Sequence, residues 1–384
     1  MLAATRLALF LRAYLRPGPS VARSTETRFD ADSGGISATF HLPARRLGEM
    51  PGWVILHGLT RTGRAHPALL RFSRALAAAG HAVMVPEIVD WRELRVRPAV
   101  AVPLIRAAIR ALDEREETEP GGVALMGFSF GATQGLVAAA DPETARHLRG
   151  VAAWGGYRDL HRLFRFGLSG HHELDGRRWA VPPDPYGGWV MAANYLTRVP
   201  GYEGREAAAT ALRRLAVEAG DSEVYAGSAA FDPVKARHAE TLTGADRAVF
   251  ELLAPPSTAW SPDGRSEEAR AIAPALADAA LDAEPLLDPG PHLGRLVTPT
   301  IVAHGRDDRL VPFTEAIRLS RALPNDVLRR TAITGLFSHS GGTPEGLGMG
   351  GLAREGARFL GLLRAILALA VRPVEGQPSQ RPNR

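Results

Sequence analysis

Two hydrophobic periods alternate along this chain. Over Thr27–His41, polar and apolar residues alternate on both sides of Ser33-Gly34-Gly35, which predicts a β-hairpin. Beyond it, short apolar runs exchange with longer stretches of helical spacing. Trp53–Leu56 predicts a buried strand ending at His57-Gly58. Leu69, Leu70, Phe72 and Leu76 mark one face of a helix over Pro67–Ala79, and Gly80 supplies the stop. Ala82–Pro86 predicts the next strand and Pro103–Arg115 a helix, followed by a turn at Pro120-Gly121-Gly122. Strands over Val123–Met126 and Val151–Trp154 flank a helix over Ala132–Ala140. Far downstream the pattern resumes with Thr300–Ala303 (strand), Thr314–Leu323 (helix), Leu328–Ile333 (strand) and Gly351–Val371 (long helix). Such alternation predicts parallel βαβ crossovers: an α/β fold with a doubly wound, mostly parallel sheet covered on both faces.

Between Trp154 and Thr300 the alternation stops. That stretch carries helical patterns (Val190–Arg198, Ala207–Ala219, Asp246–Leu253, Glu267–Ala280) and no convincing strand. A structureless loop of this length does not suit a compact domain, so a mainly helical cap inserted after the sixth strand is expected. The expected division is an N-terminal basic amphipathic helix and linker over residues 1–26, and a core over 27–156 and 298–372. The cap would span 157–297, with a disordered Pro/Gln-rich tail over 373–384.

Composition changes this picture little. The chain has 384 residues with 46 Lys+Arg against 41 Asp+Glu, a formal net charge of +5. Lys235 is its sole lysine, and basic residues mix with acidic ones instead of forming a stripe interleaved with aromatics. No nucleic-acid partner is therefore expected. Cysteine is absent, which excludes disulfides, thiol catalysis and Cys-ligated metals. Met1–Arg16 is apolar but interrupted by Arg6, Arg12 and Arg16, too broken for a spanning helix or a signal-peptide core. Two readings stand for it: a helix packed on the protein's own surface, or a peripheral contact with a membrane interface. A cytoplasmic location is expected.

The chemistry concentrates at Gly127-Phe128-Ser129-Phe130-Gly131, where an apolar strand runs into an Ala/Gly-rich helix. A serine at the tip of so sharp a turn is exposed, and small residues two positions either side let strand and helix approach. Serine requires a base, which a third group orients. In a strand–serine–helix architecture of this kind the acid and the histidine follow the serine in that order. Asp307 and Asp308 stand at the C-terminal end of the Thr300–Ala303 strand, where α/β sites are built. Of the 12 histidines only His339 lies further on, in the loop past the last strand.

On four points the chain resembles an α/β-hydrolase-fold serine hydrolase of the esterase and lipase kind, over roughly Thr27–Val371. These are His57-Gly58 after a strand, the Gly127–Gly131 elbow, His304-Gly-x-x-Asp308-x-x-Val311-Pro312, and His339. The resemblance implies Asp308 as the triad acid, with Asp159 a distant alternative, and assigns His57 to the loop scaffold. The oxyanion donors are then expected to be the N–H of Phe130 and that of Leu59, with Thr60 next in line. His161, His171 and His172 lack a strong metal-ligand motif, and the Gly341–Gly351 segment lacks the lysine of a phosphate loop, so no metal and no cofactor are expected. The aromatics Trp154, Tyr157, Phe164, Phe166, Trp179, Tyr186 and Trp189 admit two readings, cap core or an apolar substrate pocket.

The expected function is hydrolysis of a small-molecule carboxylic ester by an acyl-serine mechanism with Ser129, Asp308 and His339. The same triad serves a peptidase, thioesterase, amidase or acyltransferase. A non-catalytic binding protein on the same fold is the alternative of another class.

Overall fold

The computed structural model describes residues 2–18, 21–32, 34–45, 48–222, 224–259, 267–336 and 349–371. The chain begins with α1 (Leu2–Leu15), β1 (Ala22–Ala31), β2 (Gly34–Pro43) and β3 (Met50–Leu56). It continues through α2 (Pro67–Ala78), β4 (Ala82–Pro86), α3 (Val89–Arg92) and α4 (Pro98–Asp113). The centre is built by β5 (Thr118–Phe128), α5 (Phe130–Ala139), α6 (Pro142–Ala145) and β6 (Leu148–Trp154). An insertion follows: α7 (Leu160–Ser169), β7 (His171–Leu174), β8 (Arg177–Ala180), α8 (Tyr186–Tyr195) and α9 (Glu206–Asp221). It ends with α10 (Asp232–Glu240), α11 (Gly244–Leu253), α12 (Glu267–Ala283) and α13 (Gly290–Leu293). The core closes with β9 (Thr300–Gly305), α14 (Phe313–Ala322), β10 (Leu328–Thr334) and α15 (Met349–Leu369).

Eight strands form one sheet in the order β1-β2-β4-β3-β5-β6-β9-β10. The β1–β2 and β2–β4 pairs are antiparallel and the other five are parallel. The period of two sorts side chains to the two faces. Val54, Leu56, Leu125 and Val302 pack with α4, α5 and α14 on one side. Trp53, Ile55, Met126 and Ile301 pack with α1, α2 and α15 on the other. Buried apolar residues on both faces explain why these strands read as apolar runs.

Most predicted elements recur with shifted ends. The first hairpin is longer than its alternating stretch, pairing Ala22 with Pro43. Helix α4 starts at Pro98, a first-turn position where a missing N–H costs nothing, and the expected start, Pro103, lies inside it. The turn expected at Pro120-Gly121-Gly122 is a bulge within β5, whose pairing jumps from Thr118 to Val123 while Gly121 takes φ +60°. One hairpin was not expected. β7 and β8 pair around Asp175 (φ 50°) and Gly176 (φ 76°), the Asp-Gly turn that such a hairpin favours.

α1 packs on α2 and α15. Phe10 is buried, stacks on Tyr14 and meets Phe72 edge-on, while Arg71 donates to the Tyr14 carbonyl at 2.6 Å. These contacts suit a helix laid on the protein's own surface. Among the described residues no helix is long and apolar enough to cross a membrane. The tail expected over 373–384 lies outside the described residues.

Candidate active site

Ser129 is the single residue between β5 and α5, and its backbone takes φ 55° and ψ −125°. A residue with a Cβ holds such a conformation only when its surroundings impose it. The imposition is visible on both sides. A Cβ on Gly127 would overlap the backbone of Gly131, and one on Gly131 would overlap the carbonyl oxygen of His57. Strand, helix and the β3 loop are therefore packed backbone to backbone around the serine. The Ser129 N–H donates to the Trp154 carbonyl at 2.7 Å, and the Ser129 carbonyl accepts from the Ala132 N–H at 2.9 Å. The side chain is only half-buried.

Phe130 is the first residue of α5, so its N–H belongs to the helix's unpaired first turn and stands beside Ser129. Leu59 lines the same cavity as Ser129, and its carbonyl accepts from the Tyr186 hydroxyl at 3.2 Å. Thr60 instead joins its hydroxyl to Thr62 at 3.1 Å. His57 is buried, meets Trp91 edge-on, and has one ring nitrogen 2.7 Å from the Gly58 carbonyl. Burial lowers its pKa to about 4, so at neutral pH it is an uncharged brace under the loop.

The two adjacent carboxylates differ sharply. Asp307 is exposed and Asp308 is 3% exposed. One Asp308 oxygen accepts the N–H groups of Leu310 (2.9 Å) and Val311 (3.0 Å). The other lies 3.3 Å from Nε2 of His304, which also meets the Val311 carbonyl at 2.8 Å. Asp159 has a different role: it caps α7, accepting the Arg162 N–H at 2.9 Å. His339 lies outside the described residues, as does the glycine-rich stretch up to Gly348. The described chain on either side of those residues is linked, because Glu355 on α15 accepts the Gly335 N–H at 3.1 Å. That hydrogen bond, opposed by burial but aided by Arg358, holds the Glu355 carboxyl below its ordinary pKa.

A mostly apolar cavity of about 220 Å³ opens above Ser129. Leu59, Phe130, Tyr157 and Val311 line it from the core, and Phe164, Tyr186, Met191 and Leu276 from the insertion. The aromatics therefore divide. Tyr157, Phe164 and Tyr186 reach the cavity, whereas Trp154 packs under the sheet against Phe359 and Trp189 stacks on Phe231. Phe166 and Trp179 enclose His172, and His161 pairs with Asp278 at 2.7 Å.

Two residues near the site, Glu355 and Lys235, are not singled out for it by the sequence, whereas His304 stands in the His304–Pro312 motif and Tyr186 among the candidate pocket aromatics. His304 lies 2.8 Å from the Val311 carbonyl, Glu355 accepts the Gly335 N–H, and Tyr186 ties the insertion to the Leu59 loop. Lys235 lines the cavity from α10. Its being the sole lysine was the available signal, one that composition alone presents as a bias toward arginine.

No family model matches the chain, and neither does any curated protein. Solved structures do. A 2,6-dihydroxy-pseudo-oxynicotine hydrolase is similar at 15% identity with a TM-score of 0.50, over 96% of this chain and 73% of that one. An acylaminoacyl peptidase of Pyrococcus horikoshii is similar at 11% identity with a TM-score of 0.51, over 93% of this chain and 43% of the peptidase. A brefeldin A esterase, described as a bacterial homologue of human hormone-sensitive lipase, aligns at 18% identity with a TM-score of 0.48, over 96% and 85% of the two chains. At such identities the likeness establishes architecture: the chain has the α/β-hydrolase fold, with a mainly helical insertion after β6.

Proposed function

We propose that the protein is a serine hydrolase that cleaves a small carboxylic ester through an acyl-serine intermediate. The observation that carries this reading is Ser129, fixed at φ 55° between Gly127 and Gly131 and opening into an apolar cavity. A strained serine needs a reason to be kept, and presenting a nucleophile is that reason.

In this mechanism His339 takes the proton from Ser129 Oγ as the oxygen attacks the ester carbonyl carbon. Asp308 orients the imidazole and stabilises its charged form. The N–H groups of Phe130 and Leu59 hold the oxyanion, each worth about 2.7–4 kcal/mol in the transition state. Collapse of the tetrahedral intermediate breaks the ester C–O bond, and His339 returns the proton to the departing alcohol. Water, deprotonated by His339, then attacks the acyl-serine and releases the acid. The burial of Asp308 beside two backbone N–H donors supports its choice over exposed Asp307, and the helix-capping bond of Asp159 argues against that residue. The apolar lining supports an ester with an apolar acyl or alcohol part.

A panel of p-nitrophenyl esters of graded acyl length tests this reading. The wild type should hydrolyse the short and medium members, and His339→Ala and Asp308→Asn should each lower kcat by about 10³-fold or more. Full activity in either folded variant would remove that residue from the triad.

A further inference from the structure

Lys235 stands where a lysine is costly. It is 5% exposed, on α10 of the insertion, and it lines the mostly apolar cavity that also contains Ser129. Its ammonium donates to Asp232 at 2.9 Å and lies 5.9 Å from the Trp189 ring centre. Asp232 is fully engaged: it accepts the Ser257 N–H at 2.9 and 3.0 Å and the Ser257 hydroxyl at 2.7 Å. The lysine side of this pair is buried while Asp232 is only half-buried. Taking an ammonium out of water is costly even when it is paired, so its retention in a substrate cavity calls for another use.

An ammonium has three N–H donors. Among the described residues Asp232 is the one hydrogen-bond acceptor for Lys235, and Trp189 offers only its ring face. Donor capacity is therefore left over at the insertion side of the cavity. The charge is already balanced by Asp232, so an incoming carboxylate would be repelled by that neighbour. An uncharged acceptor would take the spare hydrogen bond without adding buried charge.

We propose that Lys235 is a specificity-determining residue that receives an uncharged oxygen acceptor, such as a ketone or ether oxygen, on the part of the ester lodged beneath the insertion. This inference rests on the ester-hydrolase reading and names its substrate class: esters that are apolar along most of their length and carry one neutral oxygen remote from the scissile bond. Truncating the donor leaves a buried acceptor unpaired, the situation in which hydrogen-bonding sites discriminate strongly.

The test uses p-nitrophenyl esters of one chain length in which a ketone is moved along the acyl chain, with the plain alkyl ester and the ω-carboxylate as references. In the wild type one ketone position should raise kcat/KM about tenfold over the alkyl ester, and the carboxylate should give no gain. Lys235→Met should abolish the ketone gain, bringing kcat/KM for the ketone and alkyl esters to within about threefold of each other. Because that variant leaves Asp232 without its cation, the double variant Asp232→Asn/Lys235→Met removes both charges and should behave the same way. A ketone gain at no position, or one that survives in both variants, overturns the proposal, and so does a preference for the carboxylate. Failure of the folded wild type to cleave any member would instead overturn the ester reading, and this inference with it.

Discussion

His304 Nε2 and Asp308 Oδ2 lie 3.3 Å apart, and neither side chain is reached by solvent. The same nitrogen is 2.8 Å from the Val311 carbonyl, so one histidine spans both ends of the loop that displays Asp308. Its N–H gives that carbonyl a buried partner and places donor charge next to the carboxylate.

Replacing His304 by Phe keeps the ring volume and removes the donor. The Val311 carbonyl is then buried unpaired, which should cost about 1–3 kcal/mol of stability. A loosened Asp308 should lower kcat about tenfold with little change in KM, the signature of a positioning residue. Urea denaturation and steady-state kinetics check the two parts. Unchanged kcat would mean that the Asp308 loop does not need this brace.

The strain at Ser129 has an energetic consequence. Glycine reaches φ 55° and ψ −125° without the penalty that a Cβ brings. Ser129→Gly should therefore stabilise the fold by about 1 kcal/mol or more while abolishing ester hydrolysis. Ser129→Ala should be equally inactive without that gain. Thermal melting of the three proteins side by side tests it, and a glycine variant less stable than the alanine one contradicts it.

His81 gives a prediction about acid. It is fully buried against Trp53, and among the described residues neither ring nitrogen has a hydrogen-bond partner. Burial, reinforced by the charge of Arg6, lowers its pKa from 6.5 to about 3. Between those values the unfolded chain binds the proton and the folded chain does not, so stability falls as pH drops below 6.5. The loss is about 1.4 kcal/mol per pH unit for one such group. His81→Leu should remove this contribution, gaining about 2.5 kcal/mol on the wild type at pH 4.5 relative to their difference at pH 7. Parallel stability profiles would show that His81 does not set the acid sensitivity.

How much of this was legible in the sequence follows from where each signal originates. Strands β3, β4, β5, β6 and β9 are buried on both faces and so write themselves as apolar runs. The Gly127–Gly131 elbow is legible because backbone packing on both sides of Ser129 tolerates no other residue at those positions. Asp307 and Asp308 are equivalent by composition; the resemblance motif points to Asp308, and burial separates it physically from exposed Asp307. The β7–β8 hairpin was hidden because its strands are short and half-exposed, leaving Asp175-Gly176 as the one local clue. Tyr186 is among the aromatics offered as pocket lining, whereas Lys235 reaches the cavity through tertiary contacts that no local pattern encodes.

The central claim is that Ser129 is an activated nucleophile. Labelling the intact protein with a fluorophosphonate, followed by peptide mass spectrometry, tests it most directly. A single phosphonyl adduct on Ser129, and none in Ser129→Ala, is the expected result. A folded wild type that takes no label, or an alanine variant labelled to the same extent, would contradict it.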